Sequence, residues 1–166
     1  MSIRLLERTH RFVHRFYWLI PGTLAGSSRP GANGGDLHED LAFLRSQGIE
    51  AILSLTETPL DEWVLTEQGF SWQHLPIDDM TAPRPHQFME ALQFIDEQQA
   101  AGRATVVHCL AGQGRAGSML AAWMIRSGIS PADALAELRG VCPGAVENDE
   151  QEAALEAFAR RRDWIV

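Results

Sequence analysis

The reading of the fold turns on ATVVHCLAGQGRAGSMLAAWMIRS, residues 104–127. It opens with a short β-branched run, Ala104 to Cys109. A loop with glycines at 112, 114 and 117 follows, and from Arg115 to Ser127 the sequence is an Ala-, Met- and Leu-rich helix. Upstream, His86 to Ala101 is helical, with Phe88, Leu92 and Ile95 at core spacing and Gly102 as its stop. Phe70 to Leu75 reads as a strand leading into the loop IDDMTAPRP, and Ile49 to Leu55 as a buried strand. Asp36 is the N-cap of a helix whose stripe is Leu37, Leu41, Phe43 and Leu44, ended by Gly48, and Ser27 to Gly35 is a loop. Downstream, Pro131 to Arg139 and Asn148 to Arg162 are two further helices. Strands alternating with helices define an α/β fold, a mostly parallel sheet flanked by helices on both faces. Ligands in such sheets sit beyond the carboxyl ends of the strands, which places the candidate site on the loop after residue 108.

That loop reads His108-Cys109-Leu110-Ala111-Gly112-Gln113-Gly114-Arg115-Ala116-Gly117. A cysteine, five residues and an arginine can curl around one phosphate. The glycines let backbone N–H groups from Leu110 to Arg115 converge, and the helix that follows points its positive end at the same place. Arg115 can fork two hydrogen bonds onto phosphate oxygens. The same surroundings favour the thiolate, the nucleophilic form of a cysteine. Attack by Cys109 on a phosphate monoester would give a thiophosphate intermediate, with the loop amides and Arg115 stabilising the transferred group. The plainer reading, a structural cysteine beside a glycine turn, does not explain why strand, His-Cys, three glycines, spaced arginine and helix coincide. His108 is expected to brace the loop rather than react.

Composition narrows the remaining choices. The chain has 166 residues, a 45% apolar fraction and a net charge of −8. It reads as one domain over 1–166 with a substantial core. The acidic balance argues against nucleic acid as a partner. There is no lysine, so Schiff-base chemistry and the lysine-dependent nucleotide loop are excluded, and every fixed cation is an arginine. Arg4, Arg8, Arg11 and Arg15 recur at helical spacing within a basic N-terminal arm, residues 1–16. That arm could touch a membrane surface or a partner, although a solvated helix face is the plainer reading. No apolar run is long enough to span a membrane, and Phe16 to Ile20 is too short for a signal peptide, so the protein is expected to be cytoplasmic. Two cysteines make neither a disulfide framework nor a zinc site. Cys142 lies before Pro143, far from the loop in sequence, and pairing with Cys109 is not expected. No His, Asp or Glu cluster has ligand spacing, so no metal or other cofactor is expected.

HCLAGQGRAG at 108–117 resembles the signature loop of the protein tyrosine phosphatase superfamily, specifically the small atypical dual-specificity phosphatases. WLIPGTLAGSSRP (18–30), ILSLTETP (52–59), LPIDDMTAP (75–83) and PGAVENDEQEAALEAF (143–158) are similar to that group's blocks and stand in the same order. The resemblance implies a cofactor-free domain around a twisted, mostly parallel sheet. It also implies hydrolysis of phosphotyrosine, with phosphoserine and phosphothreonine as further candidate substrates, through a cysteinyl phosphate.

A leaving alcohol needs a proton, and the second step needs a base for water; one carboxyl group can do both. Asp78 and Asp79, in a loop just after a strand, are the candidates. In the family the acid precedes a proline by a few residues, which favours Asp79, with Pro83 behind it, over Asp78. By the same resemblance Gln151 is a candidate for orienting the attacking water, the plainer reading being an exposed first-turn residue. One position departs from the pattern. Ala116 stands where the family has Ser or Thr, whose hydroxyl helps the thiolate leave. Ser118 could substitute only if the helix start aims it inward.

Leu110 and Gln113 occupy loop positions where phosphoinositide phosphatases carry lysines, which disfavours polyanionic head groups. The expected partner is a phosphorylated protein or a small phosphate monoester; oligomeric state is not readable. Two rivals remain. One is a phosphate-recognition module with slow turnover, supported by Ala116. The other is a thiol enzyme of arsenate-reductase or sulfurtransferase type, which ordinarily needs relay cysteines or persulfide chemistry.

Overall fold

The computed structural model describes residues 15–161. In chain order the elements are β1 (Phe16–Ile20), β2 (Leu24–Ser27), α1 (Leu37–Ser46), β3 (Ile49–Ser54), α2 (Glu62–Glu67) and β4 (Ser71–His74). Then come α3 (Pro85–Ala100), β5 (Ala104–His108), α4 (Gly114–Arg126), α5 (Pro131–Val141) and α6 (Asp149–Arg160). The five strands form one sheet in the order β1-β2-β5-β3-β4. β2, β5, β3 and β4 run parallel, and only the edge strand β1 is antiparallel, paired to β2.

β5 is the central strand, with all five residues buried. Successive side chains feed opposite cores. Val107, Leu53 and Leu24 face a large cluster closed by Phe88 and Leu92 of α3, Met119 and Leu120 of α4, Leu138 of α5, and Leu155 and Phe158 of α6. Val106, Ile52 and Ala25 face a smaller cluster with Leu41 and Leu44 of α1 and Val64 and Leu65 of α2. Each fully buried leucine contributes about 1.5–3 kcal/mol, so the two cores fix which face each helix takes. α4 is enclosed on nearly all sides, which explains its small residues.

The helix signals act as expected. Asp36 accepts the N–H of Glu39 at 3.0 Å, and Gly48 turns the chain at φ +95. Three elements were not visible in the sequence. β1 and β2 are a hairpin turned at Gly22, φ +71, and α2 is a six-residue helix capped by Asp61. The basic arm lies outside the described residues except for Arg15 and Phe16, and Phe16 already begins β1.

Candidate active site

β5 ends at His108, and the loop from Cys109 to Gln113 turns back over the carboxyl end of the sheet into α4. His108 is fully buried. Its Nδ1 faces the Cys109 carbonyl at 3.3 Å and its Nε2 lies 2.6 Å from Ser54 Oγ on β3. A carbonyl can only accept, so Nδ1 carries the proton and Ser54 donates to Nε2. Burial pushes the imidazole down to about 3, with Arg29 and Arg115 adding to the effect against the Cys109 carbonyl, so His108 is a neutral brace.

Cys109 is buried beneath the loop, and the N–H of Gly112 donates to its Sγ at 3.2 Å. An amide aimed at the sulfur is what a nucleophilic thiolate requires. Gly112 sits at φ +80, and a Cβ there would come within 2.6 Å of the Ser27 carbonyl carbon, so only glycine fits. The loop is held from outside as well. Tyr17 of β1 donates its hydroxyl to the Gly112 carbonyl at 2.7 Å, the Arg29 N–H reaches the Leu110 carbonyl at 3.0 Å, and Arg15 Nη1 reaches that of Ala111 at 3.3 Å. Tyr17 fits because Gly26 has no side chain: a Cβ there would lie 2.3 Å from the ring. Burial pushes the Tyr17 phenol strongly up, so it remains a donor. Cys142, far from the loop in sequence, packs under it with Sγ 3.8 Å from the Gly112 carbonyl, and, as expected, the two cysteines are unpaired free thiols. Burial pushes the Cys142 thiol up.

Arg115, in the first turn of α4, is 2% exposed yet carries its charge between two carboxylates. Nη1 meets Glu57 Oε1 at 2.6 Å and donates to the Ile77 carbonyl at 2.8 Å, and Nη2 meets Asp79 Oδ1 at 3.2 Å. The hydrogen bonds to Glu57 and Ile77 engage two of the five N–H groups of the guanidinium, and Asp79 adds an ion pair, leaving three N–H groups for other acceptors. Of the two candidate acids, Asp79 is therefore the one in contact with Arg115. Asp78 lies away from it along a groove with Pro76, Thr81 and Arg84, and its carbonyl accepts Thr81 Oγ1 at 2.6 Å as a turn former does.

Gln151 is fully buried rather than exposed. Its Oε1 accepts the Glu147 N–H at 2.8 Å and its Nε2 donates to the Thr81 carbonyl at 3.2 Å, tying the acid loop to the segment before α6. Ala116 is also fully buried, and the Ser118 hydroxyl donates to the Gly114 carbonyl at 2.8 Å, so that hydrogen is engaged within the helix and not on the sulfur. Leu110 is exposed at the rim, while Gln113 Nε2 donates to the Pro143 carbonyl at 3.2 Å. A Cβ on Gly114 would stand 2.9 Å from both Gln151 Nε2 and Glu147 Oε1, so a side chain there would push these two side-chain ends aside.

Sequence reasoning missed Glu57, Arg29 and Tyr17. Glu57 follows the carboxyl end of β3, where ligand-handling residues of parallel sheets collect, and that position was its available signal. Arg29 braces the turn that bears it, donating to Thr56 Oγ1 at 2.5 Å, the Thr58 carbonyl at 2.7 Å and the Pro59 carbonyl at 3.1 Å.

A parallel α/β sheet with a cysteine and a buried arginine sharing one glycine-rich turn at the head of a helix defines the cysteine-dependent phosphatase class. Residues 25–129 match the Tc-R-P family, described as polymorphic toxin system, DSP-PTPase phosphatase, and the chain belongs to this dual-specificity branch of the protein tyrosine phosphatases. Human protein tyrosine phosphatase type IVA 3 is 31% identical over 118 residues, 69% of this chain and 67% of that one. The Caenorhabditis elegans tyrosine-protein phosphatase cdc-14 is 27% identical over 150 residues, 85% of this chain, but the chain spans only 21% of that relative's length. Among solved structures, Tk-PTP in its active form superposes with a TM-score of 0.78 at 32% identity, covering 87% of this chain and 96% of that one.

Proposed function

We propose that the protein hydrolyses phosphate monoesters of phosphotyrosine type, with phosphoserine and phosphothreonine as poorer substrates, through a phosphocysteine and without a metal. The observation that carries this is the Arg115 guanidinium, buried beside the Cys109 loop and in contact with Asp79 at 3.2 Å. Dianion binding, nucleophile and proton donor thus meet at one site, the first two on one turn and the third brought to it from the loop after β4. In the first step the Cys109 thiolate attacks phosphorus and the bond to the leaving oxygen breaks as Asp79 gives that oxygen its proton. In the second step Asp79 takes a proton from water, the water oxygen bonds phosphorus, and the sulfur leaves as thiolate. The loop amides and Arg115 stabilise the equatorial oxygens in both transition states. Gln151, through its second Nε2 hydrogen, is the candidate for aligning that water.

The exposed Leu110 supports an aryl phosphate over a polyanionic head group, and the net charge of −8 speaks against nucleic acid. Two free thiols suit the reducing cytoplasm. Among the described residues no helix is long and apolar enough to cross a membrane.

The test is hydrolysis of p-nitrophenyl phosphate in EDTA by wild type, Cys109→Ser and Asp79→Asn. Activity abolished by Cys109→Ser and indifferent to the chelator is the expected result. Activity that survives Cys109→Ser would overturn the assignment.

A further inference from the structure

We propose that Asn148 is a positioning residue for the general acid, clamping the loop that carries Asp79 through a side-chain amide whose two ends do different jobs. Oδ1 accepts the N–H of Gln151 at 2.9 Å and caps α6. Nδ2 donates to the Met80 carbonyl at 2.8 Å, across 68 residues of sequence. Met80 directly follows Asp79 and stands at φ +62. A residue with a Cβ occupies that left-handed region only where its surroundings hold it there. The Met80 N–H in turn donates to Asp79 Oδ1 at 2.9 Å, and that same oxygen meets Arg115 Nη2 at 3.2 Å. One continuous path therefore runs from the start of α6 through Asn148 and the Met80 peptide to the Asp79 carboxylate.

The path has a direction. Released from Asn148, the Met80 carbonyl loses its anchor and the turn can relax out of the left-handed region, which shifts the peptide between Asp79 and Met80 and lets the exposed carboxylate leave the guanidinium. The cradle, built by Cys109, Gly112 and Arg115, does not depend on this contact. Losing the clamp should therefore impair protonation of the leaving group more than phosphate binding. Asparagine alone supplies both functions here: aspartate and serine cap a helix as well, but aspartate only accepts, and the serine hydroxyl is too short to reach as the amide does.

The proposal rests on the phosphatase reading above, and the experiment separates the two. The melting temperature, and kcat/KM for p-nitrophenyl phosphate and for phenyl phosphate, are measured in Asn148→Asp and Asn148→Ser. Phenolate is the more basic leaving group and relies more on the acid. Both variants should melt near wild type because the cap survives. kcat/KM should fall ~10-fold or more on phenyl phosphate and by less than ~3-fold on p-nitrophenyl phosphate, a fraction of what a general acid supplies in full. In an Asp79→Asn background the Asn148 substitutions should change nothing further, since residues acting through one group are not additive. Equal losses on the two substrates, a loss that persists in Asp79→Asn, or collapse of the melting temperature in both variants would each overturn the clamp while leaving the phosphatase reading intact. Absence of any Cys109-dependent hydrolysis in the unmodified chain would sink both.

Discussion

Asp79 Oδ1 and Arg115 Nη2 lie 3.2 Å apart, so the proposed acid rests on the group that must also receive the phosphate. A bound dianion would share the guanidinium with a carboxylate, and like charges at such range oppose each other. Asp79→Asn should separate binding from catalysis. Tungstate, which needs only the cradle, should bind ~3- to 10-fold tighter, a gain of about 1 kcal/mol from relieved repulsion near a partly solvated site. Over the same substitution kcat/KM on phenyl phosphate should fall ~100-fold or more. Tungstate affinity by calorimetry and steady-state rates on the same preparations check the pair, and weakened tungstate binding would contradict it.

The other side of Arg115 is held by Glu57 at 2.6 Å, and Glu57 is held by a turn that Arg29 braces through the Thr58 and Pro59 carbonyls. Glu57→Gln keeps a side-chain acceptor but removes the charge that fixes Nη1. Its carboxylate is half exposed, which weakens the pair relative to a buried one. KM should rise ~3- to 10-fold, as expected when one hydrogen bond to a charged group is weakened. Arg29→Met should shift KM in the same direction. Combining the two should give no more than the larger single effect, because one acts through the other. Additive losses in the double variant would show that Arg29 works by another route.

How far the site was legible follows from where its parts lie along the chain. Cys109, Gly112, Gly114 and Arg115 fall within seven consecutive residues, and a helix start after a buried strand fixes their mutual geometry locally. Glu57, Arg29 and Tyr17 reach the loop from 58 to 95 positions away, and only the strand order β1-β2-β5-β3-β4 brings them there. β2 escaped notice because LAGS is short and carries a glycine that reads as a breaker; in the sheet that glycine is the space into which Tyr17 packs. Asp79 was separable from Asp78 only by resemblance, since two adjacent loop carboxylates look alike until Arg115 selects one. Gln151 reads in the sequence both as a candidate for orienting water and as an exposed first-turn residue, and its burial is not legible there because its partners, Glu147 and Thr81, belong to irregular segments with no periodicity to read.

His108 gives the fold a dependence on acid. Its folded value, about 3, lies below the ~6.5 of an exposed imidazole. Between those values the unfolded chain binds a proton that the folded one refuses, so stability is lost as pH falls from 6.5 toward 3. At pH 5 the loss attributable to this residue is about 2 kcal/mol, from 1.5 pH units at 1.36 kcal/mol each. Urea midpoints at pH 7 and pH 5 for wild type and His108→Asn check it. The variant will be less stable at pH 7, since Ser54 loses its acceptor, but its midpoint should fall less between the two pH values. Equal falls would place the acid sensitivity elsewhere.

Under the proposed mechanism, Ala116 and Ser118 are the residues expected to set which step limits turnover. The hydroxyl that relatives are expected to place after the arginine is missing, and the nearest substitute is engaged with the Gly114 carbonyl at 2.8 Å. The sulfur must therefore leave in the second step without a side-chain donor from this helix turn. A hydrogen bond to a charged group contributes about 1.5–3 kcal/mol, or ~10- to 100-fold in rate. Wild type should show a burst of p-nitrophenol equal to the enzyme concentration, followed by a slow steady state, because the phosphocysteine accumulates. Ala116→Ser should raise kcat ~10-fold or more and shrink the burst. kcat/KM should barely move, since it reports steps up to leaving-group departure. The position is fully buried, so the added oxygen must take the small space beside Cys109 without shifting α4; a melting temperature close to wild type confirms that it does. A wild type without a burst, or a serine variant with unchanged kcat, would mean that Gly112 and the other loop amides already stabilise the departing sulfur well enough alone.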